Sequence, residues 1–327
     1  MVKEFQNKID EEIKKLSSEL SIPPAELYEP IRYMLSLGGK RIRPLFVLLA
    51  NDLFNGKIEH TISSALAIEL FHNFSLVHDD IMDNAPLRRN QPTVHKKWNL
   101  SAGILSGDVM LVKAFHLLSD SPQFEQIFPV FSEMAVKVCE GQQLDLNYES
   151  ANKISVIQYF KMIELKTAEL FAASMKIGAF TGRAKEEDAE NMYEFGKNIG
   201  MAFQLQDDLL DVYSNEEKFG KQKGGDIISN KKTFLLLKAI ELSGLNAYKK
   251  DELAQWLEFK PKNEKESNEK VEAVKAIYDF CNVKKITEKE INSYHEKAIF
   301  YLEKITAEKE KKKSLLDFTS SLLIRES

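Results

Sequence analysis

Cysteine is nearly missing from this chain of 327 residues: there are 2, Cys139 and Cys281, far apart and without CxxC or Cys/His spacing. Neither a disulfide framework nor a thiolate zinc site is suggested. Proline and glycine are also scarce, at 9 and 14 residues, so few positions interrupt helices or build tight turns. No stretch approaches the roughly 18 uninterrupted apolar residues of a membrane span, and the opening MVKEFQNKIDEEIKKL carries no long apolar run. A soluble, cytoplasmic protein without an integral membrane segment is expected. Positive charge is in deficit, with 45 Lys and Arg against 50 Asp and Glu, which argues against nucleic acid as a partner.

What is abundant is apolar helical pattern. Hydrophobic residues make up 43% of the chain and charged ones 29%, enough for a large core. Apolar positions recur at helical spacing in HTISSALAIELFHNFSLVHDDIMD, VIQYFKMIELKTAELFAASMKIGAF and AENMYEFGKNIGMAFQLQDDLLDVY. No strand-turn-strand rhythm and no clean 20–50-residue repeat is visible. Several helices are apolar on more than one face, which means that neighbours bury them. The expectation is an all-α fold, one large helical bundle forming a single domain over residues 1–327, with EFKPKNEKESNEK (258–270) as a surface loop.

One acidic pattern occurs twice. HDDIMD supplies Asp79, Asp80 and Asp83, and 128 residues later QDDLLD supplies Asp207, Asp208 and Asp211. Residues four apart share a helix face, so Asp79 pairs with Asp83 and Asp207 with Asp211, while Asp80 and Asp208 point off those faces. Like charges at this spacing repel, and apolar surroundings raise the cost. A solvated acidic face explains one such motif well; two copies on apolar helices ask for a neutralising cation, and carboxylates that leave positions to water and phosphate oxygens suit Mg²⁺. Basic residues stand nearby in sequence: Lys40, Arg41 and Arg43 in GGKRIRP, Arg88 and Arg89 after the first motif, then Lys166, Lys221 and Lys231. Lys40 and Arg43 can share a face and Arg41 points elsewhere. Each alone is most simply a surface charge. Together with the carboxylate pairs they suggest a ligand carrying diphosphate at one end, and the apolar helices suggest that its other end is greasy.

GGKRIRP, LVHDDIMDNAPLRRNQPTVH, LKTAELF, FQLQDDLLD and GKQKGGDIISNKKT, in this order, resemble the trans-isoprenyl diphosphate synthases, the farnesyl and geranylgeranyl diphosphate synthase group of polyprenyl synthetases. The resemblance runs from about residue 30 to the closing LLDFTSSLLIRES. It implies the helical isoprenoid synthase fold around a deep central cavity, a homodimer, and head-to-tail (1′-4) condensation of isopentenyl diphosphate with an allylic diphosphate. It also implies a set of roles. Asp79, Asp83 and Asp207, with Asp211 in support, hold three Mg²⁺ ions, and Gln142 and Asp145 line the same metal site. Arg88, Lys166 and Lys231 grip the allylic diphosphate, with Lys221 a further basic position there. Lys40, Arg43, His72 and Arg89 hold isopentenyl diphosphate, and Thr167 and Gln204 lie near the reacting carbons. Asn90 departs from the family's usual glycine, and Lys223 adds a charge to the GKQKGGD loop; neither removes a ligand.

The same resemblance places product-length control just before the first motif. Phe74 and Phe71 stand five and eight residues before Asp79, about 7.5 and 12 Å along a helix, and small Ser75 stands four before it. An aromatic at the fifth position, with none at the fourth, resembles geranylgeranyl enzymes and implies a C20 product, C15 being the near alternative. Two other functions fit parts of the pattern. A class I terpene cyclase shares metal-triggered ionisation, but its second motif normally mixes Asn or Asp with Ser, Thr and Glu. A non-catalytic partner subunit of a prenyl synthase generally loses aspartates that are intact here.

Overall fold

The computed structural model describes residues 1–214, 224–244 and 246–323. Helices fill nearly all of them, as the periodicity predicts. The first ten are α1 (Val2–Glu19), α2 (Ala25–Ser36), α3 (Ile42–Leu53), α4 (Ile62–Met82), the single turn α5 (Val94–Lys97), α6 (Leu100–Ser119), α7 (Phe124–Ser150), α8 (Val156–Ile163), α9 (Glu169–Thr181) and α10 (Glu186–Tyr213). Beyond these come Gly225–Ile228, Phe234–Ser243, Ala247–Glu258, Glu264–Phe280, Val283–Lys304 and Lys309–Leu323.

The helices gather into two compact units. The first comprises Met1–Val136, Glu169–Lys197 and Ile299–Phe318. Within it α3 packs on α4 and α9, and α4 on α6. Almost every residue of α3 is buried, because IRPLFVLLANDL is apolar on all sides. Its backbone nearly touches α9: a Cβ built on Gly178 would lie 2.3 Å from the Val47 carbonyl oxygen, so only glycine fits. The second unit comprises Lys137–Ala168, Asn198–Ala298 and the chain from Thr319. Met162, Leu205, Leu209, Phe234, Val274 and Ile277 are among the buried residues of its core.

Two local expectations are corrected. The polar tract 258–270 is a loop only over 259–263; Glu258 ends the preceding helix, and helix Glu264–Phe280 takes the rest. Asn263 caps it by accepting from the Glu266 N–H at 2.9 Å, and acidic residues in its first turn suit the helix dipole. Lys270 there is 1% exposed, its ammonium donating to the carbonyls of Phe259 and Ile228 and to Asn230 Oδ1. A short hairpin also exists, Leu87–Arg88 against Gln91–Pro92. Its strands are too short to show alternation. Its turn residues Arg89 and Asn90 have φ of 52° and 61°, the left-handed pair of a two-residue hairpin turn, and Asn tolerates that region best after glycine.

One described helix, α6, is long and apolar enough to cross a membrane by length and composition. It lies along α4, and Leu100, Ile104, Leu105 and Val112 on it are exposed.

Candidate active site

In the first unit the acidic motif ends α4. The Asp83 N–H closes the last turn on the Asp79 carbonyl at 2.8 Å, and these two side chains lie on one helix face, Asp79 partly buried and Asp83 exposed. Asp80 is 4% exposed and turned away. Arg88 Nε donates to its Oδ2 at 2.7 Å and Nη2 to its Oδ1 at 2.8 Å, so the hairpin is tied to the helix by a two-pronged ion pair. The motif therefore divides as its spacing suggests, with an outward pair and a middle residue used for anchoring.

The basic residues of this unit are assembled around a glycine turn. Gly38 and Gly39 have φ of 74° and 136°, and a Cβ on Gly39 would lie 2.7 Å from Arg89 Nη2. Arg89 packs on that bare backbone and donates to the Gly38 carbonyl. On the other side Arg41, at φ 48°, turns inward. It is buried, ion-paired with Glu69, and donates to the Leu35 carbonyl at 2.7 Å. Asn73 Nδ2 donates to the same Glu69 carboxylate at 3.0 Å. Lys40 is exposed beside this locked residue, on the connection before α3 rather than on the helix. Arg43 Nη1 lies 3.2 Å from His72 Nε2, and its guanidinium stands 4.9 Å from the Phe171 ring centre. Arginine only donates, so Nε2 accepts and the neutral His72 ring carries its proton on Nδ1. Burial, followed by the fields of Arg43, Arg88, Arg89 and Arg41, holds the His72 pKa well below 6.5. Arg41 is paired with Glu69 and Arg88 with Asp80, so the net positive field at the ring comes mainly from Arg43 and Arg89.

Below Asp79 the helix is lined by rings. Phe71 is fully buried, with ring centres 5.5 Å from both Phe74 and Phe131, and Phe131 is 5.1 Å from Phe115. Phe74 in turn lies 4.8 Å from His78. Ser75 is partly buried and its hydroxyl folds back onto the His72 carbonyl at 2.9 Å.

In the second unit Lys166 and Thr167 belong to a π-helical turn, Glu164–Ala168, between α8 and α9. Such turns re-aim side chains that a continuous α-helix would misplace. This one leans on Gly141 of α7, where a Cβ would come 2.2 Å from the Lys166 backbone nitrogen. Lys166 Nζ donates to Asp145 Oδ2 at 2.5 Å. The Thr167 hydroxyl donates to Gln204 Oε1 at 2.9 Å, Gln204 Nε2 donates to Asp208 Oδ1 at 2.8 Å, and the Tyr159 hydroxyl donates to Asp208 Oδ2 at 2.5 Å. Burial, then the nearby Asp226 carboxylate, pushes the Asp208 pKa up to about 7. Like Asp80, Asp208 is the buried middle residue of its motif, 4% exposed. Asp207 and Asp211 are only partly buried. Asp211 Oδ2 accepts the Asp226 N–H at 3.0 Å, which caps the short helix Gly225–Ile228. Lys231 Nζ lies 4.0 Å from Asp226. Desolvation opposes its charge, yet Asp226, Asp145, Asp208 and Asp207 outweigh that and raise its pKa. Lys221 and Lys223 lie outside the described residues.

Among the described residues no three or more His, Cys, Asp or Glu side chains are gathered closely enough to hold a metal by themselves. The donors available are paired carboxylates, which suit a hard cation that takes its remaining ligands from water and a phosphate-bearing ligand. Gln142 fits the same picture: it is buried, and neither atom of its amide has a hydrogen-bonding partner among the described residues. The residues present therefore fit Mg²⁺ shared with a diphosphate. Sequence reasoning passed over Tyr159, Asp226, Glu69 and His78. Tyr159 reads as a core aromatic, and Asp226 stands in a glycine-rich segment; a lone acid in ALAIELF was a usable signal for Glu69.

A family model described as polyprenyl synthetase matches residues 24–277. A geranylgeranyl diphosphate synthase from Methanosarcina mazei is 41% identical over 222 residues, spanning 67% of this chain and 68% of that one. A geranylfarnesyl diphosphate synthase from Natronomonas pharaonis is 37% identical over 246 residues, spanning 68% of this chain and 72% of its own. A crystal structure of a geranylgeranyl pyrophosphate synthase matches with a TM-score of 0.94 at 41% identity, over 100% of this chain and 99% of that one.

Proposed function

The chain belongs to the polyprenyl synthetase family, has its helical isoprenoid synthase fold and is a prenyltransferase; on that premise we propose that it condenses isopentenyl diphosphate with dimethylallyl, geranyl or farnesyl diphosphate into a short all-trans prenyl diphosphate. We read residues 1–327 as a single polyprenyl synthetase domain and the enzyme as cytoplasmic. The observation that carries the reading is the repeated division of labour in HDDIMD and QDDLLD. In each, a buried middle aspartate is committed to protein partners, Arg88 in one and Tyr159 with Gln204 in the other, while the two flanking aspartates share one less buried helix face.

Asp79, Asp83, Asp207 and Asp211 would hold Mg²⁺, three ions by the family resemblance, together with diphosphate oxygens. When bound, Mg²⁺ supplies charge neutralisation on the leaving diphosphate. Arg88, Lys166, Lys231 and Lys221 bind that allylic diphosphate, and Lys231 stays fully protonated for it. Lys40, Arg43, His72 and Arg89 bind isopentenyl diphosphate, with neutral His72 keeping a donor at Nδ1. The allylic C1–O bond breaks, the isopentenyl double bond attacks C1, and the proton lost afterwards goes to the released diphosphate, so no side chain need act as a base. Thr167 and Gln204 stand beside the reacting carbons, where fixed dipoles stabilise developing positive charge.

C20 is the favoured product and C15 the alternative, the chain growing down α4 until Phe74 and Phe71 stop it. The exposed apolar side chains Ile104, Leu105 and Val112 of α6, with Phe128 and Val136 of α7, support a homodimer that covers them; sedimentation velocity tests it, and a monomer at micromolar concentration would refute it. Incubation with an allylic diphosphate alone, then with isopentenyl diphosphate added, tests the reaction. Elongated prenyl diphosphate only in the second case is expected; a hydrocarbon in the first would mean a cyclase, and a protein inactive on every primer that activates a second subunit would be a regulatory partner.

A further inference from the structure

We propose that Asp208 is a positioning residue that fixes the orientation of the Gln204 amide, so that Thr167 and Gln204 present oxygen lone pairs, not N–H groups, to the reacting carbons. The inference rests on the proposed condensation, in which those two residues adjoin the carbons. A glutamine amide can rotate half a turn about its last bond, exchanging C=O for NH₂ at almost the same shape. The Thr167 hydroxyl cannot decide between the two, because it is able to donate to the oxygen or accept from the nitrogen.

Asp208 decides it. Its Oδ1 lies 2.8 Å from Gln204 Nε2, and its Oδ2 is taken by the Tyr159 hydroxyl at 2.5 Å. With Nε2 drawn to the carboxyl, Oε1 faces Thr167 and takes the hydroxyl hydrogen at 2.9 Å. The hydroxyl hydrogen is thereby used within the pair, and Thr167 keeps only lone pairs to offer its other neighbours. Beside carbon acquiring positive charge, outward lone pairs stabilise and an outward NH₂ opposes. Asp208 and Tyr159 are both buried, where flipping the amide would set Gln204 Oε1 against an oxygen of the Asp208 carboxylate, with no proton between them, at high cost. This gives the middle aspartate of QDDLLD a part in the reaction that does not involve binding metal.

The test compares Asp208→Ala, Asp208→Asn, Gln204→Leu and the double variant Asp208→Ala/Gln204→Leu in the full-length protein, by steady-state kinetics with both diphosphates and by Mg²⁺ titration. For Asp208→Ala we expect kcat to fall about 30-fold while both KM values and the Mg²⁺ midpoint stay within about twofold. Asp208→Asn, whose amide can turn either its carbonyl or its NH₂ toward Gln204, should give a kcat between those of the parent and Asp208→Ala. In the Gln204→Leu background the alanine change should add less than about twofold, because the amide it orients is gone. A Mg²⁺ midpoint raised about tenfold would make Asp208 a metal ligand, and losses that multiply in the double variant would show a role apart from Gln204; either overturns the inference. Should Asp208→Ala lack native circular dichroism, the asparagine variant stands alone: a folded Asp208→Asn with a Mg²⁺ midpoint raised about tenfold overturns it too. A parent that does not elongate at all refutes the proposed condensation and this inference with it, whereas an active parent with the wrong variant pattern refutes only the role of Asp208.

Discussion

Arg88 holds Asp80 with two parallel hydrogen bonds of 2.7 and 2.8 Å, joining the hairpin to the end of α4. Adjacent aspartates should therefore fail differently. Asp79→Ala should lower turnover by several orders of magnitude with the melting temperature nearly unchanged. Asp80→Ala should destabilise the fold by about 2 kcal/mol, because it strands a partly buried guanidinium. Thermal denaturation and initial rates on both variants check this; equal melting temperatures would contradict the anchoring role.

Lys40 and Arg43 flank Arg41, which Glu69 locks, and the family resemblance gives both to isopentenyl diphosphate. Lys40→Ala or Arg43→Ala should raise KM for isopentenyl diphosphate about tenfold or more, with the allylic KM changed much less. Arg88→Ala should show the opposite preference and also melt earlier. Two-substrate kinetics that find all three variants equal on both substrates would show this division to be wrong.

Phe71 and Phe74 form adjoining rings at the proposed end of the product path. Phe74→Ala or Phe71→Ala should lengthen the product beyond C20 at a cost of about 3–5 kcal/mol in stability. Chromatography of the dephosphorylated products decides it. An unchanged product distribution in both variants, or a parent that makes C30 or longer chains, would place the floor elsewhere.

His72 carries a pH dependence of stability. Burial and the four arginines keep its native pKa below 6.5, so as pH falls through that value the unfolded chain takes up a proton that the folded chain refuses. Stability should decline below about pH 6.5 with a contribution of at most about 1.4 kcal/mol per pH unit, continuing toward the lowered native pKa. His72→Gln should flatten that part of the curve. Urea denaturation at pH 7.5, 6.5 and 5.5 measures it, and parallel curves for parent and variant would assign the slope to other groups.

The sequence by itself determined the helical class, because apolar spacing at 3.6 residues needs no tertiary information, and it determined the same-face pairs Asp79/Asp83 and Asp207/Asp211, because helix geometry fixes which residues share a face. Five motifs in order also carried the family. Tertiary structure alone decided what the remaining residues touch. Arg41 and Arg43 are two residues apart in one basic run, yet Arg41 is buried against Glu69 and Arg43 meets His72, since a left-handed φ at Arg41 turns the chain between them. The tract 258–270 reads as loop by composition, but a cap at Asn263 and carbonyls awaiting Lys270 make most of it helix. Tyr159 lies 49 residues from Asp208, and no local pattern records their bond. Periodicity reports which side of a helix faces inward; which partner waits there depends on long-range packing, which local spacing does not encode.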